Sequence, residues 1–162
     1  MAEKNVEKIN NDKQIKTQKR DFVFAVGRRR EAVARVRLYT TVEDGMVWKG
    51  VAVKKGEILV NKKPISEYFK GETARNIYSE PLRVSNAQNK YTFTIQVDGG
   101  GPQGQLQAVV HGISNALSAV DRDQYRPTLK KKGFLTRDAR TRQRRKVGMG
   151  GKSRREKQSP KR

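Results

Sequence analysis

Alternation between apolar and polar positions is the first regularity along this chain. Ala32-Val33-Ala34-Arg35-Val36-Arg37-Leu38 puts Ala34, Val36 and Leu38 on one side of an extended backbone and Arg35 and Arg37 on the other. The run before it, Asp21 to Val26, is also β-rich, with Phe22, Phe24 and Val26 on one face, and Gly27-Arg28-Arg29-Arg30 separates the two. Together they predict a hairpin with an arginine-rich tip and an arginine-bearing outer face. Tyr91 to Val97 alternates strictly and predicts a half-buried strand with Tyr91, Phe93, Ile95 and Val97 on one face. After Gly99-Gly100-Gly101 the period changes. Pro102 suits the first turn of a helix, and Leu106, Val109, Val110, Ile113, Leu117 and Val120 line one helical face.

The intervening stretch is less regular. Asp44-Gly45 predicts a turn between Tyr39 to Val42 and Met46 to Val53, giving an inserted hairpin. Ile58 to Asn61 reads as a short strand. Lys63 to Lys70 reads as a helix opened by Pro64, and Glu72 to Ser79 as a second short helix stopped by Pro81. The fold class is therefore α+β, a sheet of about four main strands packed on one side by helices. Residues 1–20 lack periodicity and read as a disordered extension. Residues 21–126 form the expected domain, and 127–162 a separate basic tail.

Charge decides what such a tail is for. Seventeen Lys or Arg lie between Arg122 and Arg162 against Asp123, Asp138 and Glu156, which is +14 of the formal +21. Past Leu135 the large apolar side chains are Val147 and Met149, too few to offset the entropy of ordering the segment. It takes a shape against a polyanion. An amphipathic membrane-binding face is missing, and Arg outnumbers Lys, which favours phosphates and stacked bases. Arg28, Arg29, Arg30, Arg35 and Arg37 on the hairpin are the first candidate RNA ligands. Arg126, Lys130, Lys131, Lys132, Arg137, Arg140, Arg142, Arg144, Arg145, Lys146, Lys152, Arg154 and Arg155 are those of the tail.

Other chemistries are poorly served. There is no cysteine and one histidine, so Cys-based zinc sites, disulfides and multi-His centres are excluded, and no cofactor or small-molecule substrate is expected. His111 has no nucleophile with a third partner, and no carboxylate pair stands out. Gly99-Gly100-Gly101-Pro102-Gln103-Gly104 satisfies G-x-G-x-x-G, but no later strand offers an acid to a ribose, and the Lys and Ser/Thr of a P-loop are absent. A glycine-rich turn is the better reading, and its helix amides are free for a phosphate. No apolar run reaches the roughly 20 residues of a membrane span, and the N-terminus has no secretory h-region. The protein is expected to be non-enzymatic and cytoplasmic.

Several stretches resemble one family. Gly27 to Leu38, Val60-Asn61 with Tyr68-Phe69, Val97 to Gly101 with Gly104-Gln105, His111-Gly112-Ile113 and Ala116-Leu117 are similar, in this order, to bacterial-type small-subunit ribosomal protein nine. So are Arg126-Pro127-Thr128-Leu129-Lys130, Gly133 to Asp138, and the terminal Lys161-Arg162. The resemblance implies a two-layer domain like the second domain of ribosomal protein five, with a left-handed βαβ crossover where general rules favour the right-handed one. It implies ribosomal RNA and neighbouring proteins of the subunit head as partners. It further implies a tail whose Lys161 and Arg162 touch tRNA in the peptidyl site. Ser159-Pro160 replaces the family's aromatic-Ser ending, Val147 to Gly151 replaces a more basic stretch, and residues 39–55 are longer than the usual link. A free regulatory RNA- or DNA-binding protein is the alternative reading.

Overall fold

The computed structural model describes residues 22–42 and 46–144; the extension expected over 1–20 and the tail beyond Arg144 lie outside them. Strands β1 (Val23–Arg29), β2 (Ala32–Tyr39), β5 (Ile58–Val60), β6 (Lys63–Pro64) and β7 (Thr92–Asp98) form one sheet in the order β1-β2-β7-β5-β6. Only the β5–β7 pair is parallel, so the sheet is mixed. Helices α1 (Ile65–Tyr68) and α2 (Glu72–Val84) connect its second half, and α3 (Pro102–Val120) and α4 (Arg122–Lys131) follow β7. Strands β3 (Val47–Trp48) and β4 (Val51–Ala52) pair separately.

Inward residues of β2 and the apolar stripe of α3 meet as their periods require: Ala34, Val36, Leu38, Val109, Ile113 and Leu117 are all buried in one core. The first strand differs from expectation in extent, and the face that Phe24 and Val26 share is the outer one. It runs through Gly27 to Arg29, and the turn is Arg30-Glu31, with Arg30 at φ 52°. Ala25, Gly27 and Arg29 face α3, whereas Phe24 points to the outer side. The reason is space. A Cβ on Gly27 would overlap the carbonyl oxygen of Ala108 and the amide nitrogen of Gly112, and one on Gly112 would lie 2.6 Å from Val36 Cγ2. Helix and strand can approach this closely only where neither carries a side chain.

The second face of the sheet is partly covered too, so β7 is not half-buried: Thr92 and Thr94 are as inaccessible as Phe93 and Ile95. Trp48 and Val53 pack with Leu59 in a small cluster of their own. Lys49 Nζ donates to Gln96 Oε1 at 2.9 Å. The hairpin expected between Tyr39–Val42 and Met46–Val53 is instead formed within Met46–Val53, and it covers part of the outer face at β5 and β7. Its turn is Lys49-Gly50, both at positive φ (50° and 84°). The Asp44-Gly45 turn lies outside the described residues.

Two helix limits shift. Pro64 belongs to β6, leaving a single-turn α1, and Asn61 and Lys62 at φ 46° and 72° make the tight turn before it. Pro81 lies inside α2, which runs on to Val84. Ser85 closes that helix, with its amide and hydroxyl both donating to the Pro81 carbonyl (3.2 and 2.8 Å). A fourth helix was not expected. Asp121 caps it, accepting from the Gln124 amide at 2.9 Å, and Tyr125 and Leu129 are buried one turn apart. The expected division at 126/127 falls within this helix. Phe134 and Leu135 also pack on the core, so the fold extends beyond that point.

Replacing Gly27 with Ala should cost at least about 3 kcal/mol of stability or abolish folding, because helix backbone must move. Gly101→Ala, where nothing lies within 4 Å and φ is −112°, should cost less than about 1 kcal/mol. Urea unfolding of both variants checks this.

Candidate nucleic-acid interface

The hairpin presents its cations in two directions. Arg28, Arg30, Arg35 and Arg37 are exposed. Arg29 is not. Strand alternation turns it toward α3, where its side chain is 10 % exposed and pairs with Asp138 Oδ2 at 3.0 Å. Its Nε donates to Gln107 Oε1 (2.6 Å), and one terminal nitrogen donates to the carbonyls of Asp138 (3.4 Å) and Arg140 (3.0 Å). The expectation that Arg29 reaches RNA with its neighbours is corrected: protein acceptors occupy its guanidinium.

This bond set fixes the root of the basic tail. Asp138 also accepts the Arg140 amide at 3.0 Å and its guanidinium in a forked pair at 2.7 and 3.0 Å. The bonds from Arg140, with the Arg29 charge nearby, hold the Asp138 carboxyl well below the usual carboxylate range. Residues 138–140 therefore lie against the hairpin tip rather than trailing from α4. A groove of about 630 Å³ results, lined by Arg30, Glu31, Gly100, Gln103, Thr141 and Arg142 among others. The first amides of α3 have no helical acceptor there by position. Arg126, Lys130, Lys131, Lys132 and Arg137 are exposed on and after α4, as are Arg140, Arg142 and Arg144. Arg145, Lys146, Lys152, Arg154, Arg155, Lys161 and Arg162 lie outside the described residues.

The glycine-rich turn is a structural element. Gly99 and Gly100 have φ of 73° and 63°, and their Cα atoms sit against Glu31 and Ala32. Gln105 Nε2 donates to the Gly99 carbonyl (3.0 Å), and Tyr68 Oη donates to Gln105 Oε1 (2.9 Å). Asn61 Nδ2 contacts that hydroxyl (3.3 Å) and donates to the Val97 carbonyl (2.9 Å), while Asn61 Oδ1 accepts the Val97 amide (2.9 Å). Three distant sequence fragments thus converge to hold the turn. Among the described residues no strand follows α3, so the sheet has no place for a dinucleotide's ribose acid.

His111 is half-buried at the junction of β1 and α3. Its Nδ1 accepts the Arg28 amide at 3.3 Å, and Nε2 lies 3.2 Å from Asn115 Nδ2. Burial lowers its pKa from 6.5; a bond to the Leu135 backbone opposes this and the Arg137 charge adds to it. Tyr125 and Tyr91 share a 3.0 Å bond between hydroxyls, which with burial raises Tyr125 to about 12. Among the described residues no group of three or more His, Cys, Asp or Glu gathers for a metal, and no helix is long and apolar enough to cross a membrane.

Comparison with known proteins decides the family. The model of Ribosomal protein S9/S16 matches residues 27–162. The chain belongs to the ribosomal protein S9/S16 family. Small ribosomal subunit protein uS9 of Maridesulfovibrio salexigens is 42 % identical over 132 residues, 82 % of this chain and 91 % of that protein. The uS9 of Leifsonia xyli subsp. xyli is 39 % identical over 125 residues, 77 % of this chain and 67 % of that protein. Membership makes the chain a ribosomal protein with a structural, non-enzymatic role. Within the S9/S16 match, Asn61, Tyr68 and Gln105 serve the fold, and so does Arg29.

Two measurements test this geometry. Arg29→Ala should free the tail root, so amides of residues 136–142, Arg140 above all, exchange at least about tenfold faster. Arg28→Ala, with an exposed side chain, should leave them unchanged. For His111, the unfolded chain binds its proton near 6.5 and the folded chain only at lower pH. Stability from the neutral ring is thus present above 6.5 and lost as pH falls from there through the folded value. The urea midpoint should drop between about pH 7.5 and about pH 5.5, and His111→Gln should shrink that drop.

Proposed function

We propose that this S9/S16 protein binds ribosomal RNA in the head of the small subunit through its hairpin and tail, and that its C-terminus touches tRNA in the peptidyl site. The observation that carries the reading is the Arg29–Asp138 anchor, which sets the start of the tail beside the hairpin tip and merges two basic groups into one surface. Arg28, Arg30, Arg35 and Arg37 face phosphates from the hairpin; Arg126, Lys130, Lys131, Lys132, Arg137, Arg140, Arg142 and Arg144 face them from α4 onward. The groove at the start of α3 suits one phosphate of that backbone. Neighbouring head proteins are further partners, and the protein works in the cytoplasm within the ribosome. The connection from β5 to the parallel β7 through α1 and α2 is read as the family's left-handed crossover.

Reach supports the tRNA contact. Residues 141–162 span on the order of 70 Å when extended, enough for Lys161 and Arg162 to meet a ligand far from the domain. Phosphates are the fitting partners of two terminal cations, and phosphates carry no sequence information.

Deleting Lys161 and Arg162 should leave the protein in high-salt-washed small subunits, since the upstream cations remain. It should weaken peptidyl-site tRNA alike for two unrelated tRNAs, and more at raised salt. Filter binding reads this, and normal affinity for both across a salt series would overturn the tRNA contact. Loss of the intact protein from washed subunits would favour a free regulator.

A further inference from the structure

The outer face of the β1–β2 hairpin carries an aromatic ring that the rest of the described protein does not use. Phe24 stands on the edge strand, on the face away from α3, and is 45 % exposed. Arg37 is its register partner across the ladder, and Arg35, its side chain 54 % exposed, lies one diagonal away. Phe22, next along this face, is already engaged: it packs tilted against Tyr39 at 5.6 Å, with the Arg37 guanidinium 4.9 Å from its centroid. Among the described residues Phe24 has no aromatic or cationic partner of this kind, and no strand lies beyond it. The β3–β4 hairpin packs around Leu59, on the other side of β7 and away from Phe24.

We propose that this face takes an unpaired RNA base, stacked on Phe24, with the adjoining phosphates held by Arg35 and Arg37. The proposal rests on the RNA-binding reading above and names the mode of one contact within it. Every base has a π-face, so stacking on a ring tolerates any sequence, and a neighbouring guanidinium can pair a phosphate or extend the stack. A paired helix cannot offer a base face to a ring, because its bases already stack on one another. Charge selects the occupant. The outward side chains of β1, β2 and β7 include Arg28, Arg35 and Arg37 and one carboxylate, Asp98, which is tied to Arg35 at 3.2 Å. One exposed ring among cations is too small an apolar patch for a lipid surface.

The test uses the full-length chain with a single-stranded RNA of about ten nucleotides, the same strand made abasic, and a duplex, at salt high enough to weaken phosphate contacts of the tail. In Phe24→Trp, emission should be quenched by the intact strand and not by the abasic one; buried Trp48 gives a constant background. Phe24→Leu should bind the intact strand about tenfold more weakly, with abasic affinity and urea midpoint unchanged. Equal binding of intact RNA by Phe24→Leu and the unsubstituted protein overturns the stack while leaving the RNA reading in place. Equal losses on intact and abasic strands overturn it as well, since the ring would then be scaffold. Unchanged RNA binding with lost incorporation into subunits means a protein covers this face. Failure of the unsubstituted chain to bind any of the RNAs sinks the broader reading and this proposal with it.

Discussion

Helix α3 lies so close on β1 that neither Gly27 nor Gly112 has room for a methyl group. Much of the candidate interface follows from that contact. With the two backbones so near, Gln107 comes within 2.6 Å of Arg29 Nε, and His111 Nδ1 reaches the Arg28 amide. A side chain at position 27 would push the strand away and separate both pairs. Protein interiors are close-packed, so such a displacement is not absorbed locally. The helix–strand spacing therefore sets where the tail root can bind.

A second constraint acts at the start of α3. Strand β5 is three residues long, and a strand that short gives β7 little ladder to pair with. Asn61 extends the pairing with its side chain, which satisfies both the amide and the carbonyl of Val97. Its positive φ, tolerated by Asn better than by most residues, makes this possible. From there Tyr68 and Gln105 carry the bonds to Gly99. Polar side chains here do the positional work that longer strands would otherwise do, and a half-made network would cost more than none.

What the sequence disclosed, and what it hid, follows from these contacts. Long periodic segments were legible: β2, β7 and α3 stand where the apolar pattern puts them. The β1 face was obscured because the inward position is Gly27, which carries no hydrophobic signal, while Phe24 on the outside carries a strong one. Arg29 was misplaced for the same reason. Continuing the alternation Ala25, Gly27, Arg29 would have turned it inward, but a run of three arginines reads as a solvated tip. Helix α4 had a capping signal in Asp121 and Gln124, masked by Pro127 and by a basic composition that resembles the tail. Trp48 gave no clue, because its partner Leu59 comes from a different strand.

The placement of Asp138 shows which effect wins at the root of the tail. It is the one acid between Asp123 and Glu156, and on any surface an anion works against the binding of phosphates. Its position nonetheless fits the alternative it prevents. Without it Arg29 would be a buried guanidinium with neutral acceptors only. A buried charge with no counterion is far more costly than an exposed one facing a screened phosphate. The Arg140 fork on the same carboxylate further cancels the charge that RNA would meet. The acid is thus neutralised from inside by Arg29 and from outside by Arg140, and the surface around it stays basic.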